Sequence, residues 1–311
     1  MDERMNDEML EVSGMAFPCR IDRPDGAMRA ALVLIPGSLF LDVDGNYPAW
    51  NLRPETYREL GAQLAARGVA VLRYAKPGPG TGTIVTDADL AKRHGEFALR
   101  VEVAAAAVAR LRDAVGDVPV FIAGHSEGAL VASLLAARDP AIAGVVSLAG
   151  PALRIFDIMR AQLEASPPPG AGDHGAGMAA FDAAIATARE VGALPAAAAA
   201  HPYTMMFASI GDHGVRYLRS QDRVDPVAAI AAVPQPVLLV QGGRDASVTS
   251  AQVDALAAGR SGPTEVARFD ELQHFFKVAP PGTSAVASFA LVGPTDPRVA
   301  EAIAAWIARA R

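Results

Sequence analysis

The sequence contains a single cysteine, Cys19, among its 311 residues, so it cannot form an intrachain disulfide. A chain of this length buries enough surface to fold without such a cross-link, and the absence of disulfides suits a reducing compartment. No apolar run approaches the roughly 20 residues that a membrane helix needs, and residues 1–8 lack the apolar core of a signal peptide. These absences predict a soluble, cytoplasmic protein with no membrane partner.

An excess of positive charge is also missing. The chain has 28 Lys and Arg against 34 Asp and Glu, which gives a formal net charge of −6. Proteins that bind nucleic acid carry a basic patch or stripe, and no such composition is present. We therefore expect no nucleic-acid partner, and the sequence makes no prediction of oligomeric state.

Apolar, β-branched runs alternate along the chain with runs rich in alanine and leucine. Runs that are apolar on both faces are typical of parallel strands covered by helices. We predict strands at 31–36, 69–74, 118–123, 143–148, 236–240 and 264–269, and helices at 54–67, 97–115, 129–137 and 299–310. The alternation predicts the α/β class, with a mostly parallel central sheet that has helices on both sides.

One region interrupts this alternation. Residues 154–224 contain helical patterns but no convincing strand. We predict a core formed by 1–153 and 225–311, with 154–224 as a helical cap or lid inserted between two strands. Insertions on a rigid scaffold often determine specificity. A packing extension with no role in substrate binding is the alternative.

Residues 124–128 read Gly-His-Ser-Glu-Gly and match the pattern G-x-S-x-G. A predicted strand precedes them and a predicted helix follows, which is the context of a nucleophile elbow. This turn raises the serine hydroxyl above the sheet, and the glycines permit a close approach of the backbone. We predict that Ser126 is a nucleophile and that His125 is structural. Glu127 is expected to be partly buried, with Arg73 or Lys76 as its partner.

A serine hydroxyl needs a base to accept its proton. In enzymes whose serine lies on a nucleophile elbow, an acid and then a histidine follow the serine in the chain. His274 lies in a late loop after a predicted strand, as that base should. Asp245 follows Gly-Gly at the end of another strand and would orient the imidazole. Asp270 is the runner-up acid.

Acyl transfer also needs donors for the developing oxyanion. The backbone N–H of Glu127, directly after the nucleophile, is one predicted donor. The second is expected from the loop after the first central strand, where Ser38 is the first candidate and Leu39 the alternative.

Two further runs carry a family resemblance. Residues 37–46 read Gly-Ser-Leu-Phe-Leu-Asp-Val-Asp-Gly-Asn, and residues 73–80 read Arg-Tyr-Ala-Lys-Pro-Gly-Pro-Gly. With the three motifs at 124–128, 242–245 and 273–275, they resemble the α/β-hydrolase superfamily. Within it they are most similar to bacterial esterases grouped with serine aminopeptidase-like hydrolases. The resemblance implies the α/β-hydrolase fold.

The sequence departs from this family at two places. Leu39 and Phe40 replace a Gly-Pro pair, which makes the oxyanion loop bulkier and narrows the expected acyl site. Ala75 and Pro77 replace charged residues, so a charge network usual in the family is expected to be depleted. The predicted substrate pocket includes Leu39 and Phe40, together with Met205, Met206 and Phe207. For the last three, packing inside the insertion is the alternative.

These features predict a carboxylesterase-type serine hydrolase. It would cleave small esters of short to medium acyl chains through an acyl-enzyme, without a cofactor or a metal. A peptidase, amidase or thioesterase with the same triad is the nearest alternative. A catalytically silent binding protein on the same fold is the second.

Overall fold

The computed structural model describes residues 8–194, 198 and 201–310. In this part of the chain, nine strands form one sheet in the order β1-β2-β4-β3-β6-β7-β8-β9, with β5 beside β2. The strands are β1 (Glu8–Val12), β2 (Met15–Asp22), β3 (Ala30–Ile35), β4 (Val69–Tyr74), β5 (Ile84–Val85), β6 (Val120–His125), β7 (Val145–Leu148), β8 (Val237–Gly242) and β9 (Thr264–Phe269).

Six strands are mutually parallel and lie in the order β4-β3-β6-β7-β8-β9. Strand β2 pairs antiparallel with β1, β4 and β5. The predicted mostly parallel sheet is therefore confirmed.

The helices are α1 (Thr56–Ala65), α2 (Ala88–Ala91), α3 (Ala98–Val115), α4 (Glu127–Ala136), α5 (Ile155–Ala165), α6 (His174–Val191), α7 (Met205–Asp222), α8 (Pro226–Ala231), α9 (Ser250–Ala258), α10 (Ala285–Phe289) and α11 (Pro297–Arg309).

Both faces of the sheet are buried, because successive side chains of a strand point to opposite faces. In β3, Ala31, Val33 and Ile35 join the cluster beneath α3, α4, α8 and α9. Ala30, Leu32 and Leu34 join the cluster beneath α1 and α11 on the other face. This double burial explains why the central strands read as continuous apolar runs.

Between β7 and β8 the described chain is helical and contains no strand. Helices α5, α6 and α7 there share an apolar cluster of their own, centred on Phe156, Phe181 and Phe207. The division into a core and a cap remains a prediction, and residues 195–197 and 199–200 of that segment lie outside the described part. None of the described helices has both the length and the hydropathy needed to cross a membrane.

The sheet brings distant residues to one edge. Gly37, Ser126, Asp245 and His274 follow β3, β6, β8 and β9, respectively. Because these strands are parallel, their carboxyl ends meet at the same edge, where ligands bind in open α/β sheets.

Candidate active site

Ser126 occupies a strained turn between β6 and α4. Its φ of 53° and ψ of −120° are sparsely populated by residues with a side chain. A Cβ added at Gly124 would lie 2.0 Å from the carbonyl oxygen of Gly128, and one at Gly128 would lie 2.4 Å from that of Ile35. Both positions therefore require glycine, and the close approach that they permit is what holds the turn.

Helix α4 begins at Glu127, two residues before the predicted start. The serine is thus the N-cap residue, and the N–H of Glu127 belongs to the first turn, which has no acceptor within the helix. The positive end of the helix dipole adds to its capacity to bind negative charge beside Ser126. This is the geometry expected of the first predicted oxyanion donor.

His274 and Asp245 form a buried hydrogen-bonded pair. His274 Nδ1 donates to Asp245 Oδ2 at 2.7 Å, and neither side chain has more than 6% of its surface exposed. The other carboxylate oxygen accepts the N–H groups of Ser247 and Val248 at 2.8 and 2.9 Å. A carboxylate fixed in this way leaves His274 Nε2 as the nitrogen that can accept a proton.

The third contact of the predicted triad is not made. None of the hydrogen bonds in the described residues involves the hydroxyl of Ser126, and none joins the runner-up acid Asp270 to His274. The His274 ring centroid lies 4.8 Å from that of His125, the residue before the serine. Hydrogen bonds between nucleophile and base are often long in the absence of substrate.

His125 links the loops around Ser126. Its Nε2 bonds the carbonyl oxygen of His274 at 3.0 Å, and because a carbonyl only accepts, this nitrogen carries the hydrogen. Its Nδ1 therefore accepts from the hydroxyl of Tyr57 at 3.0 Å, and that hydroxyl accepts the N–H of Gly37 at 2.8 Å. Burial, with the facing His274, lowers the pKa of His125 to about 3, so the ring is neutral. Tyr57 had no signal in the sequence.

Glu127 is the centre of a second network. Lys76 Nζ donates to its Oε1 at 2.6 Å, and the Tyr217 hydroxyl donates to the same oxygen at 2.9 Å. Its Oε2 accepts from Ser38 Oγ at 3.2 Å. Lys76 also donates to the carbonyl oxygen of Gly37 at 2.8 Å. The carboxylate thus joins α4, the loop after β3 and helix α7.

The Glu127 carboxylate is ionised and buried, at 4% exposure. Burial raises its pKa, but Lys76, Arg100 and Tyr217 outweigh that effect and hold the pKa below its usual range. Burial lowers the pKa of Lys76 to about 8, against the opposing charge of Glu127. The Lys76 partnership is as predicted, whereas the alternative partner is wrong because Arg73 pairs with Asp22 at 2.6 Å.

The loop after β3 carries the other predicted oxyanion donors. A Cβ at Gly37 would lie 3.4 Å from Ser126 Cβ, so this loop passes beside the serine. Leu39 has a φ of 72°, a conformation that favours the glycine found there in the resembling family. The Ser38 side chain is committed to Glu127, and the structure does not separate the backbone N–H groups of Ser38 and Leu39 as donors.

The predicted pocket residues fall into two groups. Leu39 and Phe40 are exposed at 42% and 39%, and Phe40 stacks on Trp50 at 6.5 Å. Phe207 is fully buried against Phe156 and Phe181, as the alternative of core packing expected. The Met205 side chain is 56% exposed, and that of Met206 lies outside the described residues.

Comparison with known proteins shows which families the chain is similar to. Residues 54–172 match the family model of serine aminopeptidase, S33. Esterase EstD of Thermotoga maritima is 25% identical over 309 residues, which cover 99% of this chain and 68% of the esterase. Est1E from Butyrivibrio proteoclasticus superposes with a TM-score of 0.59 at 15% identity, and 98% of each chain is covered.

The chain is similar to members of the α/β-hydrolase superfamily. Its similarities lie in the branch of esterases and serine aminopeptidase-like hydrolases, and the predicted α/β-hydrolase fold is confirmed. Proline iminopeptidase of Mycobacterium smegmatis has the same fold, with a TM-score of 0.58, 15% identity and 98% coverage of each chain. These similarities support a hydrolase and leave ester and amide bonds as candidate targets.

The buried ion pair predicts a large effect of Lys76→Met on stability. Removing one member of a buried pair leaves an uncompensated charge, so the free energy of unfolding at pH 7 should fall by about 3–5 kcal/mol. Lys92→Met is the control, because Lys92 pairs with Asp89 at the same 2.6 Å but is 76% exposed. That change should cost about 0–1 kcal/mol in denaturant titrations. Equal losses of unfolding free energy in the two variants would contradict the buried ion pair of Lys76 with Glu127.

The hydrogen bonds of the Tyr57 hydroxyl predict that its removal costs more stability than removal of another buried tyrosine hydroxyl. Tyr57→Phe removes the partner of two buried groups, so it should destabilise the protein by about 1–3 kcal/mol. Tyr74→Phe is the matched control, because Tyr74 is also buried but its hydroxyl makes no hydrogen bond within the described residues. Its loss should change the free energy of unfolding by less than about 0.5 kcal/mol. Thermal or urea unfolding of both variants provides the comparison.

Proposed function

We propose that this protein is a serine carboxylesterase, in which Ser126, His274 and Asp245 cleave small esters through an acyl-enzyme. The observation that carries the proposal is the buried hydrogen bond of 2.7 Å from His274 to Asp245, beside a serine on a strained elbow. The fold alone does not establish a reaction, whereas this pair supports nucleophilic catalysis by a serine.

In the proposed reaction, His274 Nε2 takes the proton of Ser126 as Oγ attacks the ester carbonyl. Asp245 keeps the imidazole in the required tautomer and stabilises the imidazolium that forms. The N–H of Glu127 and that of Ser38 or Leu39 bind the oxyanion, and each such donor contributes about 2.7–4 kcal/mol to lowering the barrier. His274 then protonates the leaving alcohol, and water attacks the acyl-enzyme with His274 again as base.

The exposed apolar residues of the loops above the sheet support an apolar acyl group. Leu39, Phe40 and Trp50 are each 39–49% exposed, and the rings of Phe40 and Trp50 stack. Apolar side chains beside the reaction centre bind acyl chains by burying their surface. We propose short to medium acyl esters as the preferred substrates. The similarity to esterase EstD favours an ester over an amide, and the serine aminopeptidase model supports an amide as the second candidate.

The experiment is a chain-length series of chromogenic esters and matched anilides, tested on the wild type and on Ser126→Ala. The wild type should turn over short to medium esters with a higher kcat/KM than the anilides. Ser126→Ala should lower kcat by at least about 10⁴-fold, since knockout of a triad serine removes most of the catalysis. Ser133→Ala is the control, because it changes a buried serine of the same helix that bonds only its own backbone turn.

Three outcomes would contradict the proposal. Equal turnover by the wild type and Ser126→Ala would exclude Ser126 as the nucleophile. A higher kcat/KM on anilides would favour the peptidase alternative. No turnover and no reaction with a fluorophosphonate probe would favour a binding protein.

A further inference from the structure

A large cleft lies apart from the candidate triad. It has a volume of about 760 Å³, within the size range of small-molecule sites. The residues that line it come from the turn before α3, the start of α3, the end of α4 and the second half of α7, and they include none of Ser126, Asp245 and His274. Nothing in the proposed esterase reaction uses this cleft.

The cleft is strongly cationic. Five lysine and arginine side chains line it, with Glu96 as the single carboxylate: Lys92, Arg138, Arg216, Arg219 and Arg223. The whole chain has a net charge of −6, so this concentration is not a property of its general surface. A cleft lined by one sign of charge raises the local concentration of the opposite ion.

Helix α7 supplies most of this charge in one stripe. Arg216 and Arg219 lie in α7, and Arg223 follows its last residue in the same helical conformation. The three are spaced three and four residues apart, which places them on the same face. His213 extends that stripe by three residues, and the four side chains cover about 15 Å along the axis. A Cβ at Gly95 would lie 2.6 Å from the His213 ring, so the helix meets the opposite wall closely at this end.

The arginines of this cleft are available to a ligand. Arg138, Arg216 and Arg223 are exposed, and none of their side chains has an ion-pair or hydrogen-bond partner within the described residues. By contrast, Lys92 is paired with Asp89, and Arg219 donates to the carbonyl oxygens of Arg189 and Glu190. Three unpaired guanidinium groups on two walls of one cleft leave donors without acceptors.

We propose that this cleft binds a small ligand carrying an oligophosphate group, between the arginines of α7 and Arg138. The planar guanidinium matches phosphate oxygens in paired hydrogen bonds, which an ammonium does not. Several adjacent phosphate charges match the three unpaired arginines better than a single carboxylate does. The apolar residues Phe97, Val101 and Leu134, which line the same cleft, would contact a non-ionic part of the ligand.

The test uses inorganic tripolyphosphate as the probe, titrated calorimetrically into the full-length protein at low salt. The wild type should bind with one saturable site, and the affinity should fall as salt is added because the contact is ionic. Arg216→Gln with Arg223→Gln should weaken binding at least tenfold. Arg138→Gln, on the other wall, should weaken it at least threefold.

The matched control is Arg110→Gln with Arg309→Gln, which removes the same charge from two helical arginines outside the cleft. This variant should bind within twofold of the wild type. Equal weakening in both double variants would overturn the proposal, because attraction to net charge would then explain the binding. The absence of saturable binding to the wild type at millimolar probe would also overturn it. All variants change exposed or half-exposed side chains, and unfolding curves verify that each is folded.

Discussion

The backbone at Ser126 is held in a conformation that costs a residue with a side chain about 1–3 kcal/mol. Two glycines make room for it, and the N–H of Ser126 donates to the carbonyl oxygen of Leu148 at 2.8 Å. Everything else at the candidate site depends on this turn. It presents the hydroxyl at the edge of the sheet, and it starts helix α4 at the next residue, whose N–H is then free to donate.

The same strain recurs around the edge. Leu39, Ala149 and Phe276 also have positive φ values, of 72°, 48° and 57°. They lie in the segments that follow β3, β7 and β9, on the same edge of the sheet as Ser126. Such conformations persist only where the surrounding structure determines them, and they gather at functional sites. The rigid sheet beneath supplies that constraint.

Two polar networks connect these loops and fix their positions relative to one another. The neutral ring of His125 joins the backbone of His274 to Tyr57 and, through its hydroxyl, to Gly37. The Glu127 carboxylate joins the same glycine loop to α7 through Lys76 and Tyr217. Glu127 therefore has two functions in our account, because its N–H is a proposed oxyanion donor and its side chain binds the loop that carries the other candidate donors. Buried networks of this kind are stable only when every member is satisfied.

The sequence predicted the central strands, the helices that cover them and the pairing of His274 with Asp245, because these follow from local pattern and chain order. It did not predict Tyr57 and Tyr217, which reach their partners across 68 and 90 residues. No local pattern distinguishes such tyrosines from ordinary core residues. The N-terminal strand β1 was also missed, since Leu10 is its single buried residue and Glu8, Met9 and Glu11 are exposed, so it has no buried apolar run. The sequence also could not decide whether Phe207 lines a substrate pocket or packs inside the insertion. Burial within a helical cluster depends on tertiary contacts that the order of residues does not specify.

The most direct test of this account is a crystal structure of the protein after reaction with a fluorophosphonate. We expect phosphorus bonded to Ser126 Oγ and a phosphonyl oxygen within 2.7–3.1 Å of the N–H of Glu127 and that of Ser38 or Leu39. His274 Nε2 should lie within hydrogen-bond reach of Ser126 Oγ or of the leaving-group position. A phosphonate on any other residue, or a His274 ring that stays out of reach, would contradict the account.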